Sequence, residues 1–491
     1  MDLSVLIWLP AAAALLGAIL PGRAARFSAA AGSLVTLGLS IAVLAQFKTG
    51  GGPQFVTDKV WIKELGINYH VAVDGLNLFF ILLATLLFAA TMVWAALQTW
   101  ERESMFFLWF GIAETAVLGA LMAQDLALFV AFFDLMLIPF YFLTGQWGIG
   151  PGRVAGVTKL VIYTLVGSLL MLAAAVATAV LVSDAGDTPI NFSLAFLTTH
   201  HLSNGSQDWI FLCFLAAFLV KMPLFPLHGW MPDGYRAMPM PVLAVFSGVL
   251  SKVAAYGFLR IALPLFPHAA EHYQELVLLI ALASILYAST MAFTTTDARL
   301  ILGYSSVAQM GFIVLGIFAL NNQGAQGAVL QSVNHGLVVA PAFFIVALLA
   351  ARVGGSEDVR DMGGLAFRAP VLATLFLIVA LANLAMPGSS NFVGEFLILL
   401  GVFNSKIVIA IVAFTGVALA SVYTLRLFIR TMHNRVAPNA ESRELTLADA
   451  VVLVPLVAVI LFLAVYPQFV LKRTTPTPPS AKADVALRAG R

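Results

Sequence analysis

The sequence predicts an all-α polytopic membrane protein of about fourteen transmembrane helices, with two inverted five-helix repeats that each contain a broken helix. Three observations carry this. Of 491 residues, 61% are hydrophobic and 10% charged, and mean hydropathy is +0.97, more apolar side chain than a soluble core encloses. The apolar residues fall in segments close to the ~20 that a helix needs to cross a bilayer. Two segments are broken by proline, one around Lys221 (Pro223, Pro226, Pro232) and one at Met386-Pro387-Gly388-Ser389-Ser390. Discontinuous helices of this kind mark ion sites in transporters.

In chain order the predicted spans lie near 3–20, 28–46, 75–98, 105–122, 125–144, 157–182, 208–224, 238–263, 274–293, 299–320, 325–350, 369–400, 405–430 and 447–467. The first lacks a basic leader and is read as a membrane helix, not a cleaved signal. The longest polar connection runs from Lys48 to Asp74, and its ending GINYHVAVDG suggests a short strand or hairpin outside the membrane. The segment 369–400 is too long for one straight span, so it is read as the second broken helix. The Pro- and Thr-rich tail from Lys472 is expected to be disordered. The resulting divisions are 1–104 (helices 1–3 with the extramembrane loop), 105–265 (first repeat), 266–432 (second repeat) and 433–491 (last helix and tail).

Arg23, Arg26, Arg102, Arg153, Arg236, Arg299, Arg352, Arg360, Arg368, Arg430, Arg435 and Arg443 fall in one set of loops. Lys48, Lys59, Lys63 and Lys406 fall in the other. The first set is predicted cytoplasmic, which puts both termini outside; the basic tail argues the other way. A net charge of +2 offers nothing to nucleic acid. A single cysteine, Cys213, provides no internal disulfide and no cysteine-ligated cluster, and no dinucleotide or phosphate-loop motif is present. No cofactor or metal is expected in this chain.

Glu114, Asp134, Lys159, Lys221, His228, Lys252, His335, Glu395 and Arg426 lie within or beside spans, where ionisable residues are rare and usually functional. Asp134 precedes Lys159 by 25 residues and Lys221 by 87, and Lys252 follows Lys221 by 31. Gln309 precedes His335 by 26 residues and Glu395 by 86, and Arg426 follows Glu395 by 31. Each set spreads over five consecutive spans with the broken helix fourth, which implies a duplication. Five is odd, so the copies have opposite topology. Plainer readings stand beside the functional ones. Asp134 is read alternatively as a structural carboxylate, Lys159 as a snorkelling side chain, and His228 as a loop-packing histidine. Asp125 reads as a helix cap, Arg260 as an interfacial anchor and Arg426 as structural.

A proton crossing hydrocarbon needs groups that hold and release it, spaced for water to bridge. Lysine in a low dielectric exchanges between charged and neutral forms near neutral pH, and a nearby carboxylate favours the charged form. Asp134 and Lys221 suit such a pair. Lys252, His335 and Glu395 continue the row, and imidazole titrates near neutrality without help. Glu395, beyond the second break, is expected to pair with a cation from a neighbouring chain or, through water, with Lys252. The alternative for Glu395 is a cap on backbone amides beside the break.

The motifs LVKMPLFPLHGWMPDGYRAMPMP, GVLSKVAAYGFLR, AQDLALFVAFFDLMLIPFYFLTGQWG, RVAGVTKLVIYTLVGS, DARLILGYSSVAQMGF and NHGLVVAPAFF resemble those of the antiporter-like subunits of proton-pumping NADH:quinone oxidoreductase, respiratory complex I. The resemblance runs from about Val73 to Arg430. Within the family the chain looks most like the M (ND4) type. In GSSNFVGEFLIL it has Glu395 where the paralogous types carry lysine, and it lacks the long lateral helix of the L type. Mrp-type sodium/proton antiporter subunits share the pattern and give the alternative function, and a non-conducting membrane scaffold subunit is the third, against which the titratable row argues.

The resemblance implies a translocase subunit in a bacterial inner membrane, in contact with lipid and with other antiporter-like subunits, that moves protons and carries no redox centre. It places a carboxylate–lysine pair at Asp134 and Lys221, a central lysine at Lys252, and a continuing path at His335 and Glu395. Two departures matter. The family has glutamate at the position of Asp134, and commonly histidine at that of Gln309, which cannot carry a proton as a cation. Glu114 is a possible substitute for the short Asp134.

Overall fold

The computed structural model describes residues 2–20, 24–436 and 440–474; Arg23 and the tail beyond Thr474, with Lys482, Arg488 and Arg491, lie outside the described residues. Each of the predicted spans is helical. Among the described residues, eleven helices are long and apolar enough to cross a membrane, and shorter apolar helices run over Leu3–Ile19, Pro370–Asn383 and Ser390–Ser405.

Four helices depart from the ranges predicted, each for a local reason. The span at 125–144 splits into Leu126–Leu135 and Leu137–Trp147. Pro139 supplies no amide and its ring opposes the Leu135 carbonyl four residues back, so the ladder slips there. The sixth helix, Arg153–Gly186, has 34 residues, about 51 Å at 1.5 Å per residue, and overshoots the bilayer. The span Met240–Leu265 contains two π-helical turns, Phe246–Leu250 and Phe258–Ala262. The seventh helix stops at Lys221, ahead of Pro223 and Pro226.

The connection after the second helix forms the anticipated hairpin. Its strands, β1 (Gln54–Ile62) and β2 (Ile67–Val73), pair antiparallel with Thr57 opposite Val71 and Lys59 opposite Tyr69. The hairpin collects the loops at its end of the bundle. Asp125 caps its own helix by accepting from the Leu128 amide at 3.0 Å, and accepts from the Asn68 amide of β2 at 3.1 Å. Arg260 pairs with Asp74 and donates to the Tyr256 hydroxyl at 3.1 Å, so it is a paired structural cation and not the interfacial anchor expected from sequence. Gly66 turns the hairpin at φ +63°, and a Cβ there would collide with the Ile190 carbonyl oxygen. Gly66→Ala is expected to lower the melting temperature of the detergent-solubilised protein. Left-handed strain plus a backbone clash costs on the order of 1–3 kcal/mol, and an unchanged melting curve would refute it.

At the opposite end the arginine-rich loops are stitched together. Arg299, almost wholly buried, makes two bonds to Glu357 (2.7 and 2.6 Å) and donates to the Tyr235 and Met238 carbonyls. Asp297 caps the helix Ala298–Phe318 and meets Arg236 at 3.3 Å. Asp358 joins Thr296 and Arg360, whose guanidinium holds the Asp358 carboxyl down to about 2. That contribution is fully present above the ordinary carboxylate range and is lost as pH falls toward 2.

Asp125 and Asp297 each cap the helix that carries Asp134 or Gln309, the corresponding places of the two repeats. The breaks correspond less closely. Lys221 ends the first half of its broken helix, whereas Glu395 sits in the second half of its own, Ser390–Ser405. Asn383, the last residue of Pro370–Asn383, stands where Lys221 stands in the first copy.

Candidate functional site

Lys221 is only 6% exposed. Its ammonium donates to the Phe133 carbonyl oxygen at 3.3 Å and lies 4.4 Å from the centroid of the Phe133 ring. Among the described residues Asp134 makes no direct contact with this ammonium and acts on it through its charge. The carboxylate is next to the residue that receives the ammonium, and its Oδ1 is buried without a partner among the described residues.

Glu114 faces a different helix from the one that carries Lys221. It is fully buried, and its Oε2 accepts from Ser33 of the helix Ala24–Gln46 at 2.7 Å.

Lys252 is 1% exposed and follows the first π turn directly. The Ser247 carbonyl in that turn accepts both Lys252 Nζ at 2.6 Å and Ser251 Oγ at 3.3 Å. Such turns loosen the hydrogen-bond ladder and recur at functional positions. Between Lys221 and Lys252 the helices meet through phenyl groups: the Phe218 ring packs on Gly257 and lies 5.0 Å from Phe258.

His335 is fully buried on Asn322–Ala351, and neither ring nitrogen has a protein partner among the described residues. Its helix crosses the Lys252 helix at two glycines, where a Cβ on Gly336 would come within 2.6 Å of the Gly248 carbonyl oxygen. That close crossing makes His335 the neighbour of Lys252.

Glu395 lies on Ser390–Ser405, 3% exposed. Its Oε1 accepts from Gln309 Nε2 at 2.7 Å and from Gln331 Nε2 at 3.3 Å, and Gln331 also donates to Gln309 Oε1 at 2.7 Å. Glu395 is thus neither a helix cap nor, within the described residues, paired with a cation; two neutral amides hold it. Ser305, one turn before Gln309, accepts from Asn383 Nδ2 at 3.1 Å and donates to the Tyr423 hydroxyl at 3.1 Å, and Asn383 Nδ2 also donates to Thr424 at 3.0 Å.

The remaining candidates are peripheral to this row. Lys159 forms a half-exposed ion pair with Asp233 at 2.7 Å. His228 packs in the broken region between Phe225 and Tyr287, as a loop histidine would. Arg426 donates to the Phe293 carbonyl, and to that of Thr295 at 3.1 Å, capping the end of Gln274–Thr294, a structural role.

Sequence reasoning missed Gln331, Asn334, Asn383 and Asn391. Each is buried and polar in an apolar helix. Gln331 precedes His335 by one turn, and Asn391 precedes Glu395 by one turn, a spacing that puts them on the same faces.

The residues 123–420 match the family model described as NADH:quinone oxidoreductase/Mrp antiporter, TM. NADH-quinone oxidoreductase subunit M of Rhodobacter capsulatus is 36% identical over 487 residues, covering 95% of this chain and 94% of that one. A chain in the structure of respiratory complex I from Thermus thermophilus with bound NADH superposes with a TM-score of 0.87 at 30% identity, covering 95% of this chain and 97% of that one. A chain of the Mrp complex from Dietzia shares the fold, with a TM-score of 0.84 at 20% identity over 96% of each. The chain belongs to the NADH:quinone oxidoreductase/Mrp antiporter transmembrane family, and within it to the subunit M (chain 4) type.

Proposed function

We propose that this chain is the proton-translocating M-type subunit of a complex I-type NADH:quinone oxidoreductase in a bacterial membrane. Electron transfer from NADH to quinone takes place in partner subunits, among them neighbouring antiporter-like chains; this chain holds no redox cofactor and moves protons. The observation that carries the reading is the buried row Lys221, Lys252, His335, Glu395, on helices that touch in that order. Isolated ionisable groups inside a membrane bundle are too costly to keep without use.

In the proposed mechanism the field of Asp134 sets how readily Lys221 holds a proton. When that field weakens, the ammonium gives its proton through water to Lys252, past the phenyl contact at Phe218. The proton passes to a nitrogen of His335 and then to the Glu395 carboxylate. Each donor is left neutral (or, for Glu395 after release, anionic) and ready to reload. Buried polar atoms without protein partners among the described residues, on Asn334, His335, Ser390 and Asn391, support a water-bridged step from His335 to Glu395.

NADH-driven acidification of inverted membrane vesicles tests this. Lys252→Ala is expected to assemble and to lose acidification by about 100-fold, the scale of removing a proton-transfer group; acidification at the wild-type rate would overturn the reading. The Mrp-type alternative predicts that transport depends on sodium, and the proposed one that it does not.

Asp134→Glu is expected to retain pumping, because the longer carboxylate acts on Lys221 at least as strongly. Asp134→Ala is expected to lose most of it. Wild-type pumping by Asp134→Ala would remove the carboxylate from the mechanism.

A further inference from the structure

We infer that Gln331 is a positioning residue for the proton step at Glu395: together with Gln309 it clamps Oε1, so that the proton loads and leaves at Oε2. The inference rests on the proton-path reading above and adds to it the atom that carries the proton.

The hydrogen-bond directions lead to this. Gln309 Nε2 and Gln331 Nε2 both donate to Oε1, and the second amide hydrogen of Gln331 goes to Gln309 Oε1. Flipping Gln309 alone would set its oxygen against the carboxylate and its NH2 against the NH2 of Gln331, two repulsive contacts, so this orientation is the one that suits an ionised Glu395. An oxygen with both acceptor sites engaged by amide donors is a poor place for a proton. Oε2 is buried and has no protein partner among the described residues.

The neighbours of Glu395 continue the argument. Asn391, one turn earlier on the same helix, is fully buried, and neither polar atom of its amide has a protein partner among the described residues. Asn334 Nδ2 donates to the Ser390 carbonyl at 2.6 Å, which turns its unpartnered Oδ1 away from that bond. His335 is the next residue. The polar route from the imidazole therefore arrives on the helix face that holds Asn391 and Glu395, while Gln331 and Gln309 occupy the other oxygen.

Gly394 allows the arrangement. A Cβ there would lie 3.0 Å from the Gln331 backbone nitrogen, so the two helices touch closely enough for a glutamine to reach across. Titratable groups around Glu395 are His335 on Asn322–Ala351 and Tyr423 on Ile407–Met432. The helices Ala298–Phe318 and Pro370–Asn383 present Gln309 and Asn383, and Leu447–Val465 presents apolar side chains.

The test is the pH profile of NADH-driven acidification in vesicles that carry the whole complex, with assembly scored on native gels. Donors to an ionised carboxylate favour the charged form. Gln331→Met, which removes one, is expected to make Glu395 hold its proton more tightly. The profile then moves to the alkaline side by about one pH unit, a tenfold change in proton affinity worth about 1.4 kcal/mol. Gln331→Asn, which keeps an amide on a shorter arm, is expected to shift it less.

A Gln331→Met profile that coincides with wild type, while Glu395→Gln is impaired, overturns the clamp and leaves the proton path standing. If Glu395→Gln itself pumps normally, the underlying reading fails. If Gln331→Met does not assemble, Gln309→Met removes the other donor to the same oxygen: an alkaline shift supports the clamp and an unshifted profile overturns it.

Discussion

Lys221→Ala is expected to abolish proton pumping in a complex that still assembles. The ammonium is buried at a helix end and satisfied only by the Phe133 carbonyl and ring, with the Asp134 charge beside it. Removing the side chain takes away one hydrogen bond from a charged group, worth ~1.5–3 kcal/mol, but also the cost of burying that charge. The two effects oppose, so the fold survives. Transport has no such compensation, because alanine cannot take and return a proton at this place in the row, and the loss is expected to be about 100-fold.

Lys221→Arg separates charge from proton exchange. Arginine keeps the cation but does not release its proton at any physiological pH. It is expected to assemble and to pump as poorly as the alanine variant. Wild-type acidification by Lys221→Ala would remove the lysine from the path. Wild-type acidification by Lys221→Arg would reduce its role to a fixed charge.

Glu395→Gln is the second large effect expected. Glutamine has nearly the same shape, and its amide oxygen can still accept from Gln309 and Gln331. Assembly is therefore expected to be normal. Pumping is expected to fall by about 100-fold, because the amide cannot load a proton. A helix cap would behave in the opposite way, with small losses in stability and full transport, and the bonds of Glu395 to two glutamine side chains already remove that reading. Measured in the same vesicles, full acidification with normal assembly would end the relay role of Glu395.

Much of this chain was legible before any coordinates. Hydrophobic runs and proline breaks located the helices, since a membrane forces the backbone to satisfy itself inside each span. The ending GINYHVAVDG announced the hairpin. Charges stranded in apolar runs announced Lys221, Lys252, His335 and Glu395, because their burial cost makes them rare. Asp134 was found by the same reasoning, but not that the atom touching the Lys221 ammonium is the carbonyl oxygen of Phe133 next door. Sequence spacing gives proximity along a helix, but which of two consecutive side chains faces a neighbour depends on the rotation of that helix, set by packing. Glu395 was likewise found, but not the two amides, Gln309 and Gln331, that hold its Oε1. A neutral glutamine carries little signal until a second helix is laid against it.

By itself, then, the sequence determined the membrane class, the broken helices and the identity of the ionisable row. These follow from composition, periodicity and the price of burying charge, all of which act locally along the chain. The tertiary structure alone decided which atoms meet. Gly336 lets the His335 helix touch the Lys252 helix, and Gly394 lets Gln331 reach Glu395. The π turn puts the Ser247 carbonyl under Lys252. Contacts between residues far apart in the chain depend on helix rotation and on close approach at small residues, and a linear pattern does not encode the relative placement of two helices.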